Sequence, residues 1–138
     1  MKIKPIGYWA TTAFLAFAVV SGGAAELAHR RDNVEGLVHL GYPVYFATII
    51  GLWKVLGGLT VLAPRFPRLK EWAYAGIFFN MTGAAASHAA SGDAAWHVIV
   101  TGSLAVLAVA SWALRRQTAP SESSFPPRRA RRWSDGGM

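Results

Sequence analysis

Apolar residues fall in four long runs separated by short polar breaks, at about 7–28, 44–63, 72–90 and 94–114. Each run approaches the roughly 20 residues that a helix needs to cross a hydrocarbon core. The pattern predicts an all-α integral membrane protein built as a four-transmembrane-helix antiparallel bundle. Pro43 and Pro64 bracket the second run, and Glu71 opens the third. Ser91-Gly92-Asp93 reads as a turn in which Asp93 can cap the fourth helix. The short connections after the second and third runs make neighbouring helices antiparallel. Between the first two runs, His29 to Gly41 is polar enough to lie outside the bilayer. There Asp32-x-x-Glu35 has the spacing of a capping box, and Val34, Leu37, Val38 and Gly41 share one helical face. A short interfacial helix on the outer surface is expected, with a plain loop as the competing expectation.

Composition agrees with this picture. A chain of 138 residues with 53% hydrophobic positions is one domain, and too small to bury that much apolar surface in water. The absence of Cys removes disulfides, thiol redox chemistry and Cys-ligated iron–sulfur or zinc sites. The net charge of +7 could suggest nucleic acid, but its placement points to topology, and no nucleic-acid partner is expected. Lys2, Lys4, Arg65, Arg68, Lys70 and six arginines after Leu114 fall on one side, against Arg30 and Arg31 on the other. Both termini are therefore expected on the cytoplasmic side. A membrane domain over 1–116 is followed by 117–138, a Ser-, Pro- and Arg-rich cytoplasmic tail expected to be disordered and drawn to anionic lipid. Lys2, Lys4 and Gly22-Gly23-Ala24-Ala25 imitate a cleavable signal peptide. The run between them is long for a signal core, however, and ends on Glu26, which has a use inside a bundle.

One charge stands inside the apolar runs. Lys54 sits mid-helix, where a cation costs roughly 2.5–3.5 kcal/mol by insertion scales and needs a partner or a wet cavity. Each run also carries a stripe of small and polar residues, as helix contacts in lipid require. These stripes are Thr12, Ala16, Val19, Gly23 and Glu26 in the first run, and Ala47, Gly51, Lys54 and Gly58 in the second. The third has Gly76, Asn80, Gly83, Ala84, Ser87 and His88, with Phe78, Phe79 and Met81 turned elsewhere. The fourth has His97, Thr101, Ala108 and Ser111. The arrangement predicted is a Glu26–Lys54 ion pair whose hydrogen bonds are completed by Asn80 and His88. Glu26, Lys54, Asn80 and His88 would then line a polar pocket open to the outer leaflet, suited to a quinone head group or a proton-coupled solute. The bland alternative is a buried pair that only fixes helix register. His88 and His97 have the depth of axial haem ligands, though histidines in bundles more often just hydrogen-bond, and haem is not expected. No metal site is expected, since nothing resembles a zinc motif.

Several strings of residues resemble the DoxX-like family of small bacterial membrane proteins. They are Gly7-Tyr8-Trp9, Ser21-Gly22 with Glu26-Leu27, Leu40-Gly41-Tyr42-Pro43, Trp53-Lys54-Val55-Leu56-Gly57 and Leu62-Ala63-Pro64. Phe66 to Gly76, Thr82-Gly83-Ala84 and Ser87-His88 continue the resemblance, which covers about residues 7 to 114 and not the arginine tail. It implies a four-helix protein of the bacterial inner membrane, loosely associated with oxidoreductase systems, one relative being a subunit of a thiosulfate:quinone oxidoreductase. Many relatives carry Asp where this chain has Asn80, which keeps the hydrogen bonding but loses a titratable proton. The function expected is a subunit or quinone-interacting accessory of a membrane redox system, with redox proteins as partners. The alternatives are a small-solute or proton-coupled transporter, as a homodimer, and a non-catalytic anchor for a soluble partner. Whether the chain is itself an enzyme is left open by the sequence.

Overall fold

The computed structural model describes residues 3–118, so the expected tail falls outside the described residues from position 119 onward. Five helices account for the described chain: α1 (Ile3–Leu27), α2 (Arg31–His39), α3 (Tyr45–Leu62), α4 (Pro67–Ala90) and α5 (Ala95–Thr118). Three of them, α1, α3 and α5, are long and apolar enough to cross a membrane. At 24 residues α4 is as long as α5, about 36 Å at 1.5 Å per residue, but Lys70, Glu71, Asn80 and His88 dilute its apolar character. It starts earlier than expected because Pro67 takes the first helical turn, where a missing N–H costs nothing.

The four long helices form a ring in which α1 packs on α3 and α5, and α4 packs on α5. The α3–α4 side of the ring is the loosest. Its core is a cluster that includes Leu15, Val19, Val61, Tyr74, Ile77 and Met81. Thr12, Ser111 and Tyr74 meet inside it, Ser111 Oγ lying 2.7 Å from Thr12 Oγ1 and 2.9 Å from the Tyr74 hydroxyl. Each of these hydroxyls needs a partner once buried. At the end expected to be cytoplasmic, Trp112 Nε1 donates to Glu71 Oε2 at 2.5 Å, and the Arg115 guanidinium bridges Glu71 and the Pro67 carbonyl. Those bonds tie the start of α4 to the end of α5. Outward, Phe14, Phe17, Trp53, Phe79, Ile99 and Val106 are exposed, an apolar belt that calls for lipid rather than water.

Two local expectations are corrected. The helix over Arg31–His39 forms, but no capping box closes it: Arg30 is the N-cap without a side-chain bond, Asp32 lies in the first turn, and Glu35 accepts from Arg31 Nε at 2.7 Å. The long guanidinium four residues upstream outcompetes the backbone for that carboxylate. Asp93 likewise does not cap α5, because both its oxygens accept from histidine rings.

Candidate functional site

Glycine brings α1 and α3 into backbone contact. A methyl group added at Gly23 would stand 2.7 Å from Lys54 Cβ and 2.8 Å from the Gly51 carbonyl oxygen. One added at Gly51 would stand 2.7 Å from the Gly23 carbonyl oxygen and 3.0 Å from Glu26 Cβ. No side chain fits in this seam, and the closeness sets the next polar residues of each helix side by side. Lys54 Nζ donates to Glu26 Oε1 at 2.5 Å, with the Glu26 side chain 8% and the Lys54 side chain 17% exposed. The second carboxylate oxygen, Glu26 Oε2, is buried and has no hydrogen-bond partner among the described residues. An unsatisfied buried acceptor is costly.

Two cavities meet at Lys54. One of about 630 Å³ lies in the loose side between α3 and α4, walled by Trp53, Leu56, Leu69, Trp72 and Ile77, with Lys54 and Asn80 at its polar end. The other, about 570 Å³, lies under α2 and is lined by Glu26, Lys54, Asn80 and His88 together with Asn33, Leu37 and Tyr42. All four residues predicted to share a pocket therefore border one cavity. The predicted hydrogen bonds are not all there. Among the described residues Asn80 makes none to the pair, and His88 turns away from it.

His88 belongs to a different cluster. Its Nδ1–H donates to Asp93 Oδ2 at 2.6 Å, while His39 Nε2–H donates to Asp93 Oδ1 at 2.7 Å. These two bonds hold the Asp93 carboxyl below its ordinary value, His88 contributing most and His39 next. The turn that makes this possible is tight, with Gly92 at φ +70°. The His88 and His97 rings lie stacked, 4.9 Å between centroids and 14° between planes, rather than opposed across a space for a porphyrin.

The face of α4 is the larger correction. Gly76 and Gly83 were expected against neighbouring helices, yet a methyl group at either would meet open space. The buried face carries Tyr74, Ile77 and Met81 instead. The centre of a four-helix ring needs volume, so bulky residues go inward there. Gly76, Asn80, Gly83, Ala84 and His88 of that stripe are left lining the two cavities, and Ser87 instead shares a 2.9 Å hydrogen bond with the Tyr42 hydroxyl. The first-helix stripe, by contrast, is buried at all five positions, Thr12, Ala16, Val19, Gly23 and Glu26. Sequence reasoning missed the part played by Asp93 and His39. The spacing His88-x4-Asp93-x3-His97 across a predicted turn was a usable signal, whereas nothing in the sequence tied His39 to it.

Residues 10–111 match the family model described as the DoxX-like family. No curated protein and no solved structure matches the chain.

Proposed function

The chain belongs to the DoxX-like family, and on that premise we propose that it is a quinone-interacting subunit or accessory of a redox system in the bacterial inner membrane. In this proposal α4 is the fourth span, both termini are cytoplasmic, and α2 lies on the outer surface. The observation that carries it is the position of Lys54. Its ammonium stands where two cavities meet, and the larger one, at about 630 Å³, has the size and mostly apolar lining of a small-molecule site. A quinone ring lies between the Trp53 and Trp72 walls with its isoprenoid tail leaving toward lipid. Lys54 donates to a quinone carbonyl, and Glu26, bonded to the ammonium, holds it in place. The chain has no Cys, so the electron chemistry belongs to the quinone and to a partner protein.

The test is solvent extraction and mass spectrometry of protein purified in mild detergent, with titration of a short-tailed quinone analogue followed by tryptophan fluorescence. Co-purifying quinone, and quenching that weakens at least tenfold in Lys54→Met, are the expected results. An apoprotein that carries only phospholipid and whose fluorescence ignores the analogue overturns the proposal and leaves the ion pair as a structural element.

A further inference from the structure

Three of the chain's four histidines, His39, His88 and His97, gather around Asp93 at the α2 end of the bundle. His88 comes from the last turn of α4, Asp93 from the turn, His97 from the start of α5 and His39 from the end of α2. Donor atoms of His88, Asp93 and His97 all lie within 4.8 Å of one another. We infer that His88, Asp93 and His97 form a binding site for a divalent first-row transition-metal ion of the zinc type. His39 is its outer partner, holding the carboxylate in place.

The donor set selects this chemistry. Two imidazoles and one carboxylate suit zinc and its neighbours, and with no Cys in the chain soft thiolate-bound ions are excluded. Three protein ligands leave a fourth position open, the pattern of reactive rather than purely structural zinc sites. A second, independent observation points the same way. His97 Nδ1 is buried and has no hydrogen-bond partner among the described residues. Trp96 lies against the His97 ring at 3.7 Å and fixes its plane, so the nitrogen is positioned but unused. Binding would displace the His88 Nδ1 proton and part the two ligand atoms from their 2.6 Å hydrogen-bond separation, since each would then sit about 2.0–2.1 Å from zinc at a tetrahedral angle. Asp93 Oδ1 stays bonded to His39, the kind of outer contact that orients a ligating carboxylate. Drawing the three donors onto one ion closes the α4–α5 turn. Through His39 it also fastens α2, the roof of the about 570 Å³ cavity. The inference stands apart from quinone binding, which concerns Lys54 and Glu26.

The experiment uses full-length, tag-free protein in detergent, stripped with chelator and then titrated with Zn²⁺ by calorimetry and with Co²⁺ by visible absorption. One equivalent of Zn²⁺ and a Co²⁺ d–d band of imidazole–carboxylate character are expected. His97→Ala and Asp93→Asn each abolish the band, and His39→Ala weakens binding by about 10–100-fold. His29→Ala, which removes the one histidine outside the cluster, leaves affinity unchanged. Wild-type protein that takes up no stoichiometric Zn²⁺ or Co²⁺ overturns the inference whatever the variants do. So does a site equally sensitive to His29→Ala.

Discussion

Lys54→Met tests the ion pair directly. In the native protein the ammonium is 2.5 Å from Glu26 Oε1, and the Glu26 side chain is only 8% exposed. Removing the lysine leaves a buried carboxylate whose second oxygen already lacks a partner. Breaking such a pair from one side costs about 3–5 kcal/mol. The expected loss for Lys54→Met is therefore about 3–5 kcal/mol. Glu26→Gln should cost less, about 1.5–3 kcal/mol, the worth of a hydrogen bond to a charged group. Its lysine can extend toward the cavity and find water or a head group. The double variant removes both charges and should lie within about 1 kcal/mol of wild type. Reversible unfolding in mixed micelles, followed by tryptophan fluorescence, gives the four free energies. A coupling of at least about 2 kcal/mol is expected. Single losses that simply add, with coupling below about 0.5 kcal/mol, would refute the claim that the two charges answer each other.

Other outcomes follow from the packing. Gly51→Ala should destabilise by about 1–3 kcal/mol, because the new methyl collides with the Gly23 backbone. Gly22→Ala meets nothing within 4 Å, and should stabilise by up to about 1 kcal/mol through helix propensity; the same unfolding assay separates the two. Ser111→Ala removes the shared vertex of the buried hydroxyl triangle and should cost about 0.6–1.7 kcal/mol, more than Tyr74→Phe, which leaves the 2.7 Å Thr12–Ser111 bond intact. Phe66 sits in the left-handed region at φ +65° before α4, so Phe66→Gly should relieve about 1–2 kcal/mol of backbone strain, read as a higher unfolding midpoint.

Much of the fold was legible because lipid leaves the backbone few options. Long apolar runs must be helical there, and the runs at 7–28, 44–63 and 94–114 correspond to α1, α3 and α5 within a few residues. The Glu26–Lys54 contact was also readable, since two opposite charges on small-residue stripes have no cheaper place to go. The face of α4 was not readable. A stripe of glycine and alanine says that something comes close, but not whether that something is a helix or a cavity. The destination of His88 was hidden for a related reason. Its neighbour Asp93 lies only five residues away but across a turn, and the competition between Lys54–Glu26 and Asp93 for that imidazole is settled by geometry that periodicity does not encode.

The glycine seam also divides the bundle mechanically. Backbone against backbone at Gly23 and Gly51 leaves α1 and α3 no side-chain cushion through which to slide or tilt. On the other side, the Glu71 bonds to Trp112 and Arg115 brace α4 against α5. The walls of the larger cavity therefore belong to two stiff halves, α3 to one and α4 to the other. Deformation of this protein, by lateral pressure from lipid or by a guest of the wrong girth, is concentrated in that one cleft, which makes the cleft the compliant joint of an otherwise rigid frame.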